Sequence, residues 1–434
     1  MKKPFSLSPL TLVMLLALLL QLAFGGYQLS EQRYYLEDSK EYVQAAENLR
    51  AHGTLYCGEW EKRPHRTDFY SKRPPLYPLL LAGIGWPGSM VLLQNLLSLF
   101  NLWLMMRLLL SLGFPRKRLL WALPFLLLYP AQFIYSNLIM TEVLLQSLLL
   151  GMAWSLSHFV SQVRGKYLGI YVALLSLGIL LKPVMYVFAF VHPLLMGYFY
   201  LRKYRHKALL PVAFLPLVVV LAYSGWNHSR TGAFHFSSIQ SINLLQYNTY
   251  YTLLRAEGEA VADSVVDGIA ARADRISSYP ERQAYIRSAS VEQLSQHPGA
   301  YLGLHLKGMA HFFIDPGRFD LYSFLGLEKR EGKGKGLLYH YSQEGYRGVF
   351  NYLKTQPLGL LAWLLLIALA HAVKLLGGLR FAFRRSIPLD QRLLLGMWVL
   401  YLAGLTGPLG ASRFAVPVFP LLLIMALLGA EGKR

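Results

Sequence analysis

The chain has 434 residues, 54% of them hydrophobic, with 43 Lys and Arg against 23 Asp and Glu, for a formal net charge of +20. Its apolar runs reach the roughly 20 residues needed to cross a bilayer, which excludes one large soluble core and predicts a polytopic membrane protein. The positive charge lies in short connections between those runs rather than on one basic domain, which argues against nucleic acid as a partner.

In chain order, ten spans are expected at about 8–25, 88–112, 119–134, 138–160, 168–181, 184–201, 208–225, 357–376, 393–406 and 414–430. The first follows Met1-Lys2-Lys3 but lacks a small-x-small cleavage site, so it reads as an uncleaved helix rather than a signal peptide. Lys2 and Lys3, Arg116 to Arg118, Arg164 and Lys166, and Arg202 to Lys207 fall on alternate connections. So do Lys374 to Arg392, and Lys433 with Arg434. By the positive-inside rule that face, with both termini, is cytoplasmic. The expected fold class is all-α, with about ten transmembrane helices. Three regions follow: a transmembrane module over 1–225, an external insertion over 226–356 and closing helices over 357–434.

The first external loop, 26–74, holds eight acidic and eight basic residues. Tyr42, Ala45, Ala46 and Leu49 recur at helical spacing and Gly53 stops the run, predicting an amphipathic surface helix. Asp38 or Ser39 is the expected N-cap, with Glu41 completing a capping box from Asp38. A carboxylate there is held ionised by backbone N–H groups, and such a group can also accept a proton from an attacking hydroxyl. Cys57 is the sole cysteine, so no internal disulfide or structural zinc cluster forms; in an external loop it is expected to meet an impermeant thiol reagent. Three prolines in Arg73-Pro74-Pro75-Leu76-Tyr77-Pro78 argue against regular helix, and the apolar run 79–85 is too short to span and should turn at Gly83 to Gly88.

Glu142 stands in an apolar run, one turn inside the outer end of the fourth span. A carboxylate at mid-bilayer costs about 2.5–3.5 kcal/mol on insertion scales, so it reads either as a packed, paired group or as a functional one. Lys182-Pro183 break the run 168–201 at an outward turn, and Arg73 and Arg413 fall at the same depth. Each alone could snorkel to the lipid surface. Three cations beside two carboxylates instead suit a departing phosphate.

The insertion looks helical and polar over 257–312, followed by a Gly- and Lys-rich linker at 329–336. His228, His235, His297, His305 and His311 show no metal-ligand spacing. No P-loop, GxGxxG or nucleophile elbow occurs, so no nucleotide or serine-hydrolase site is expected.

Asp38…Tyr42…Ala46-Glu47-Asn48-Leu49…Gly53 leads into Lys72-Arg73-Pro74-Pro75-Leu76. Further on come Ser136-Asn137-Leu138-Ile139-Met140-Thr141-Glu142, then Gly178-Ile179-Leu180-Leu181-Lys182-Pro183, and finally Arg413-Phe414…Pro417…Pro420. In this order and on one membrane side, these residues resemble the GT-C membrane glycosyltransferases, in the branch of protein O-mannosyltransferases and the lipid A aminoarabinose transferase. The resemblance covers roughly the first 200 residues and the last 30.

It implies a sugar donor carried on polyprenyl phosphate, a glycan, lipid or protein acceptor, and an active site on the periplasmic face of a bacterial inner membrane. Asp38 matches the catalytic acidic position, Glu142 the second acidic position, and Arg73, Lys182 and Arg413 the donor-phosphate cations. Tyr42 and Tyr77, in the same motifs, are assigned to substrate. Many relatives carry Glu directly after the first Asp; here Ser39 follows and Glu37 precedes, so Glu37 and Asp38 both stand as candidate base. No cofactor is implied with certainty, and a divalent metal stays open without assigned ligands. The expected reaction is an inverting transfer. The alternatives are a transporter or flippase of a lipid-linked saccharide, and a polymerase or ligase using a diphosphate-linked donor.

Overall fold

The computed structural model describes residues 7–201, 205, 209–327 and 337–431. The linker at 329–336 and Lys2, Lys3, Arg202, Lys203, Lys207, Lys433 and Arg434 lie outside the described residues. Among those described, every regular element is a helix.

Helix α1 (Pro9–Glu31) starts where Ser8 Oγ accepts from the Thr11 N–H at 3.2 Å with Pro9 in the first position, the cap its sequence asks for. After α2 (Glu37–His52) a loop leads to α3 (Leu76–Ile84), nine residues long and too short to span, as expected. Pro78 sits in its first turn, where no N–H is needed, so the prolines delay this helix without forbidding it. The turn at Gly85 (φ 83°) opens α4 (Pro87–Ser111).

The third expected span is broken. A 3₁₀ stretch (Arg116–Ala122) runs into α5 (Leu123–Leu127), and α6 (Pro130–Ser136) leaves at 71° to it. Pro130 supplies no N–H to the preceding turn and pushes Tyr129 out of the helical region.

Helices α7 (Glu142–Gln162), α8 (Gly165–Leu181), α9 (Phe188–Phe199) and α10 (Leu209–Thr231) follow. The insertion is built from α11 (Ile239–Ile242), a π-helical run (Asn243–Thr249), α12 (Tyr250–Ala256), α13 (Glu259–Asp274), α14 (Tyr279–Gln296), α15 (Pro298–Ile314), α16 (Arg318–Leu325) and α17 (Leu337–Thr355). The chain ends with α18 (Leu358–Phe383), α19 (Leu389–Leu405), α20 (Ser412–Ala415) and α21 (Phe419–Ala430).

Among the described residues, each of the ten segments expected to cross lies largely in helix. Six helices are long and apolar enough to do so: α1, α4, α7, α10, α18 and the Ser412–Ala430 run; the bent α5–α6 pair makes a seventh if counted as one span. The helices Gly165–Leu181 and Pro183–Phe199 are shorter, and α19 has 17 residues.

One core runs from Val13 to Leu428, drawing on the helices before and after the insertion, while Leu245, Leu253, Ala262, Val266 and Ile269 form a separate small core in the insertion. Buried amides tie the bundle together. Gln94 Nε2 donates to the Leu138 carbonyl at 2.6 Å and Gln94 Oε1 accepts from Tyr77 Oη; Gln146 Nε2 donates to the Val416 carbonyl at 2.6 Å. Each such bond in apolar surroundings contributes about 0.6–2 kcal/mol.

Helices α18 and α21 approach through glycine. A Cβ at Gly429 would lie 2.0 Å from the Gly377 carbonyl oxygen, so only hydrogen fits.

Arg118 pairs with Glu431 at 3.7 Å, and Arg384 donates to the Leu428 carbonyl, which gathers these charges at the C-terminal end of α21, opposite Arg413. Lys374 departs from the sequence expectation. It is not in a basic connection, because α18 runs on to Phe383; Lys374 is buried within that helix, 4.7 Å over the Tyr129 ring and 5.1 Å over Phe419.

Candidate active site

Asp38 is not the N-cap. Leu36 caps α2 in an extended conformation, and its N–H donates to Ser39 Oγ at 2.9 Å. That puts Asp38 in the first turn, on the face that continues through Tyr42, Ala45 and Leu49 into the protein. Glu37, one residue earlier and about 100° around the helix, points away. Its side chain is 89% exposed and pairs with Lys40, so it takes no part in the site. Glu41 does not close a capping box either: it accepts from Lys72 Nζ at 2.6 Å and Arg73 Nε at 2.7 Å.

Glu142 begins α7 instead of lying a turn inside it, since Asn137 to Met140 leave the helical path between α6 and α7. Its carboxylate is fully buried at a helix N-terminus, where the unpaired N–H groups favour negative charge. Lys182 precedes Pro183 and is therefore extended (φ −143°, ψ 129°), which ends α8 and turns its side chain to Glu142. Arg413 sits in α20.

These elements converge. The Arg413 guanidinium donates to Asp38 Oδ2 at 2.6 Å and to Glu142 Oε1 at 2.7 Å; Lys182 Nζ reaches the same Glu142 oxygen at 2.9 Å. Arg73 donates to Asp38 Oδ1 at 2.8 Å while holding Glu41. Four cations thus face three carboxylates, one positive charge in excess. Burial works to raise the Asp38 pKa, but the Arg73 and Arg413 charges outweigh it and hold the group well below the usual carboxylate range. Asp38 remains 30% exposed and Arg413 24%, so the cluster opens on the α2 side. Glu142 Oε2 is buried and meets no donor among the described residues.

The tyrosines assigned to substrate are support instead. Tyr42 and Tyr77 are 2% and 0% exposed and pack edge-on at 4.9 Å. Tyr77 Oη bonds Gln94, and the Tyr42 ring lies 4.8 Å beneath the Arg73 guanidinium, so neither presents a free surface.

Sequence reasoning missed Glu41, Asp315 and Asp320. Asp320 Oδ1 accepts from Tyr135 Oη at 2.7 Å, and its other oxygen accepts from Ser412 Oγ; Asp315 Oδ2 takes the Ser412 N–H at 2.8 Å. Burial raises the Asp320 pKa, against the two hydrogen bonds, which lower it. A cavity of about 500 Å³ opens beside this group. Leu36 and Leu138 in its wall are near chain neighbours of Asp38 and Glu142.

Three of the insertion histidines hold neighbours: Ser71 Oγ lies 2.6 Å from His235 Nε2, His305 donates to the Gly404 carbonyl at 2.7 Å, and His297 lies 2.7 Å from Glu257. Among the described residues no group of three His, Cys, Asp or Glu is arranged to hold a metal. Cys57 is buried, and burial pushes its thiol up to about 12, so it is a poor reporter of the side on which its loop lies.

Comparison with family models, with characterised proteins and with solved structures returns no match for this chain.

Proposed function

We propose that this protein is a membrane glycosyltransferase of GT-C type, with about ten helices packed in the bilayer, that moves a sugar from polyprenyl phosphate to an acceptor hydroxyl at the end of the bundle carrying α2. That end faces the periplasm in this reading, with the basic connections in the cytoplasm. One observation carries it: a single guanidinium, Arg413, bridges Asp38 and Glu142 at a partly open mouth, with Lys182 and Arg73 alongside.

The chemistry follows from the pairing. An acceptor O–H gives its proton to Asp38, the oxygen attacks the anomeric carbon, and the carbon–oxygen bond to phosphate breaks with its electron pair leaving on polyprenyl phosphate. Arg413, Lys182 and Arg73 would bear the charge that develops there. Clamped between two guanidiniums, Asp38 is a weak base. A donor phosphate competes for the same guanidiniums, and each contact it takes returns basicity to the carboxylate. Glu142 holds Arg413 and Lys182 in place for that exchange.

Purified protein assayed with polyprenyl-phosphate sugars tests this. Asp38→Asn should lose at least about 10²-fold in turnover while keeping donor binding, the loss expected when a proton-transfer group is removed. Turnover at the wild-type level in Asp38→Asn removes Asp38 from the mechanism and the reading with it.

A further inference from the structure

The 500 Å³ cavity falls within the roughly 300–1,000 Å³ typical of small-molecule pockets. Its lining is unlike a lipid-tail groove. Tyr35 offers a 44% exposed ring and Phe324 a second aromatic wall, while Ser323 and the Asp320 carboxyl on α16 and Arg33, paired with Glu31 before α2, supply polar groups from two separate segments. The carboxyl is fixed by Tyr135, itself in the cavity wall, and by Ser412, so it is pre-set rather than free to swing. Flat apolar faces flanked by a rigid carboxyl and a guanidinium match a sugar ring, whose C–H faces pack on aromatic rings while its hydroxyls meet donors and acceptors. The wall continues into the charge cluster through covalent neighbours: Ser412 precedes Arg413, and Leu36 lies two residues before Asp38.

We infer that this cavity is the acceptor subsite and that it takes a saccharide ring, held by Asp320 and Arg33 with its face on Tyr35. The inference rests on the transferase reading for the word acceptor, but the binding of a sugar there does not depend on turnover. Asp320 is a positioning residue, not a base, because Tyr135 and Ser412 already occupy both its oxygens.

The test is site-directed labelling in lipid nanodiscs. Ser323→Cys in a Cys57→Ala background is reacted with a maleimide in the presence of octyl β-D-glucoside below its micelle concentration, or of tetraethylene glycol monooctyl ether, which has the same tail and no sugar. Glucoside at ten times its Kd should slow labelling about tenfold, the ratio set by the unliganded fraction. The ether should not, and adding Asp320→Asn should remove most of the protection. Leu36→Cys, in the cavity wall but outside the contacts assigned to the sugar, reads the same cavity should Ser323→Cys fail to fold. Equal protection by both amphiphiles, or none by either, overturns the inference. Protection by glucoside in a protein that shows no donor turnover sinks the transferase reading alone and leaves the sugar pocket standing.

Discussion

Removing Arg413 should cost the protein much of its stability as well as its site. Arg413→Ala deletes two charge-assisted hydrogen bonds, at 2.6 and 2.7 Å, and strips one of two cations from Glu142, whose side chain has no exposure. A hydrogen bond to a charged group contributes about 1.5–3 kcal/mol. Because Asp38 and Arg413 are 30% and 24% exposed, their half is screened, and about 1 kcal/mol is a fair share for it. The Glu142 half takes the full range, since breaking a buried pair leaves its partner uncompensated, at about 3–5 kcal/mol when no second cation remains. Lys182 does remain, which sets that half near 2–3 kcal/mol and the total at about 3–4 kcal/mol. Arg413→Ala and Glu142→Gln each delete the pair between these two residues, so the double variant should cost about 1–2 kcal/mol less than the two single changes summed. Unfolding in SDS–detergent mixtures followed by tryptophan fluorescence measures all four corners of the cycle. An Arg413→Ala protein within about 0.5 kcal/mol of wild type, the range of an ordinary surface change, would refute the idea that this guanidinium clamps α2 to the spans.

Gly429→Ala places a methyl 2.0 Å from the Gly377 carbonyl, and the shift it forces should destabilise the protein by about 1–3 kcal/mol or more in the same unfolding assay, whereas Gly404→Ala, with open space around it, should be far milder. Asp38 has a depressed folded pKa, so its stabilising contribution is present above the unfolded value of about 3.9 and is lost only as pH falls below that toward its folded pKa. Wild type and Asp38→Asn should therefore show a constant stability difference from pH 8 to about pH 5, and a difference that collapses already between about pH 6 and 5 contradicts the clamp geometry. Native Cys57 should resist maleimide until the protein is denatured, while Glu37→Cys in a Cys57→Ala background should react at once; added to intact cells as an impermeant reagent, it reports the side on which α2 lies.

How much of this was legible in the sequence depended on what marks a residue out. Glu142 could be singled out because a carboxylate amid Leu and Val has no bland reason to be there. Its exact station could not, since nothing in Asn137 to Thr141 announces that α7 starts late. Which of Glu37 and Asp38 faces the charge cluster was in fact written in the helical period: Asp38, Tyr42, Ala45 and Leu49 share a face that Glu37 does not. Glu41, three residues after Asp38, mimicked a cap partner and so hid its ion pairs with Lys72 and Arg73. Asp320 had no local pattern to flag it, since its partner Tyr135 is 185 positions away and only tertiary packing joins them. Tyr42 and Tyr77 misled in the opposite way, because lying in a motif does not show whether a ring faces a ligand or a neighbour. Lys374 resembled the loop cations beside it because hydropathy blurs the end of a long helix.

Arg413 lies 375 positions after Asp38, in the final membrane run of this sequence. While the chain is being made, the earlier helices enter the bilayer with Asp38 and Glu142 still lacking the group that joins them. The constellation is therefore complete only once Arg413 has been made. A chain stalled before Ser412 would leave Glu142 with Lys182 alone and Asp38 with Arg73 alone, so α2 would lack its tie to the start of α7.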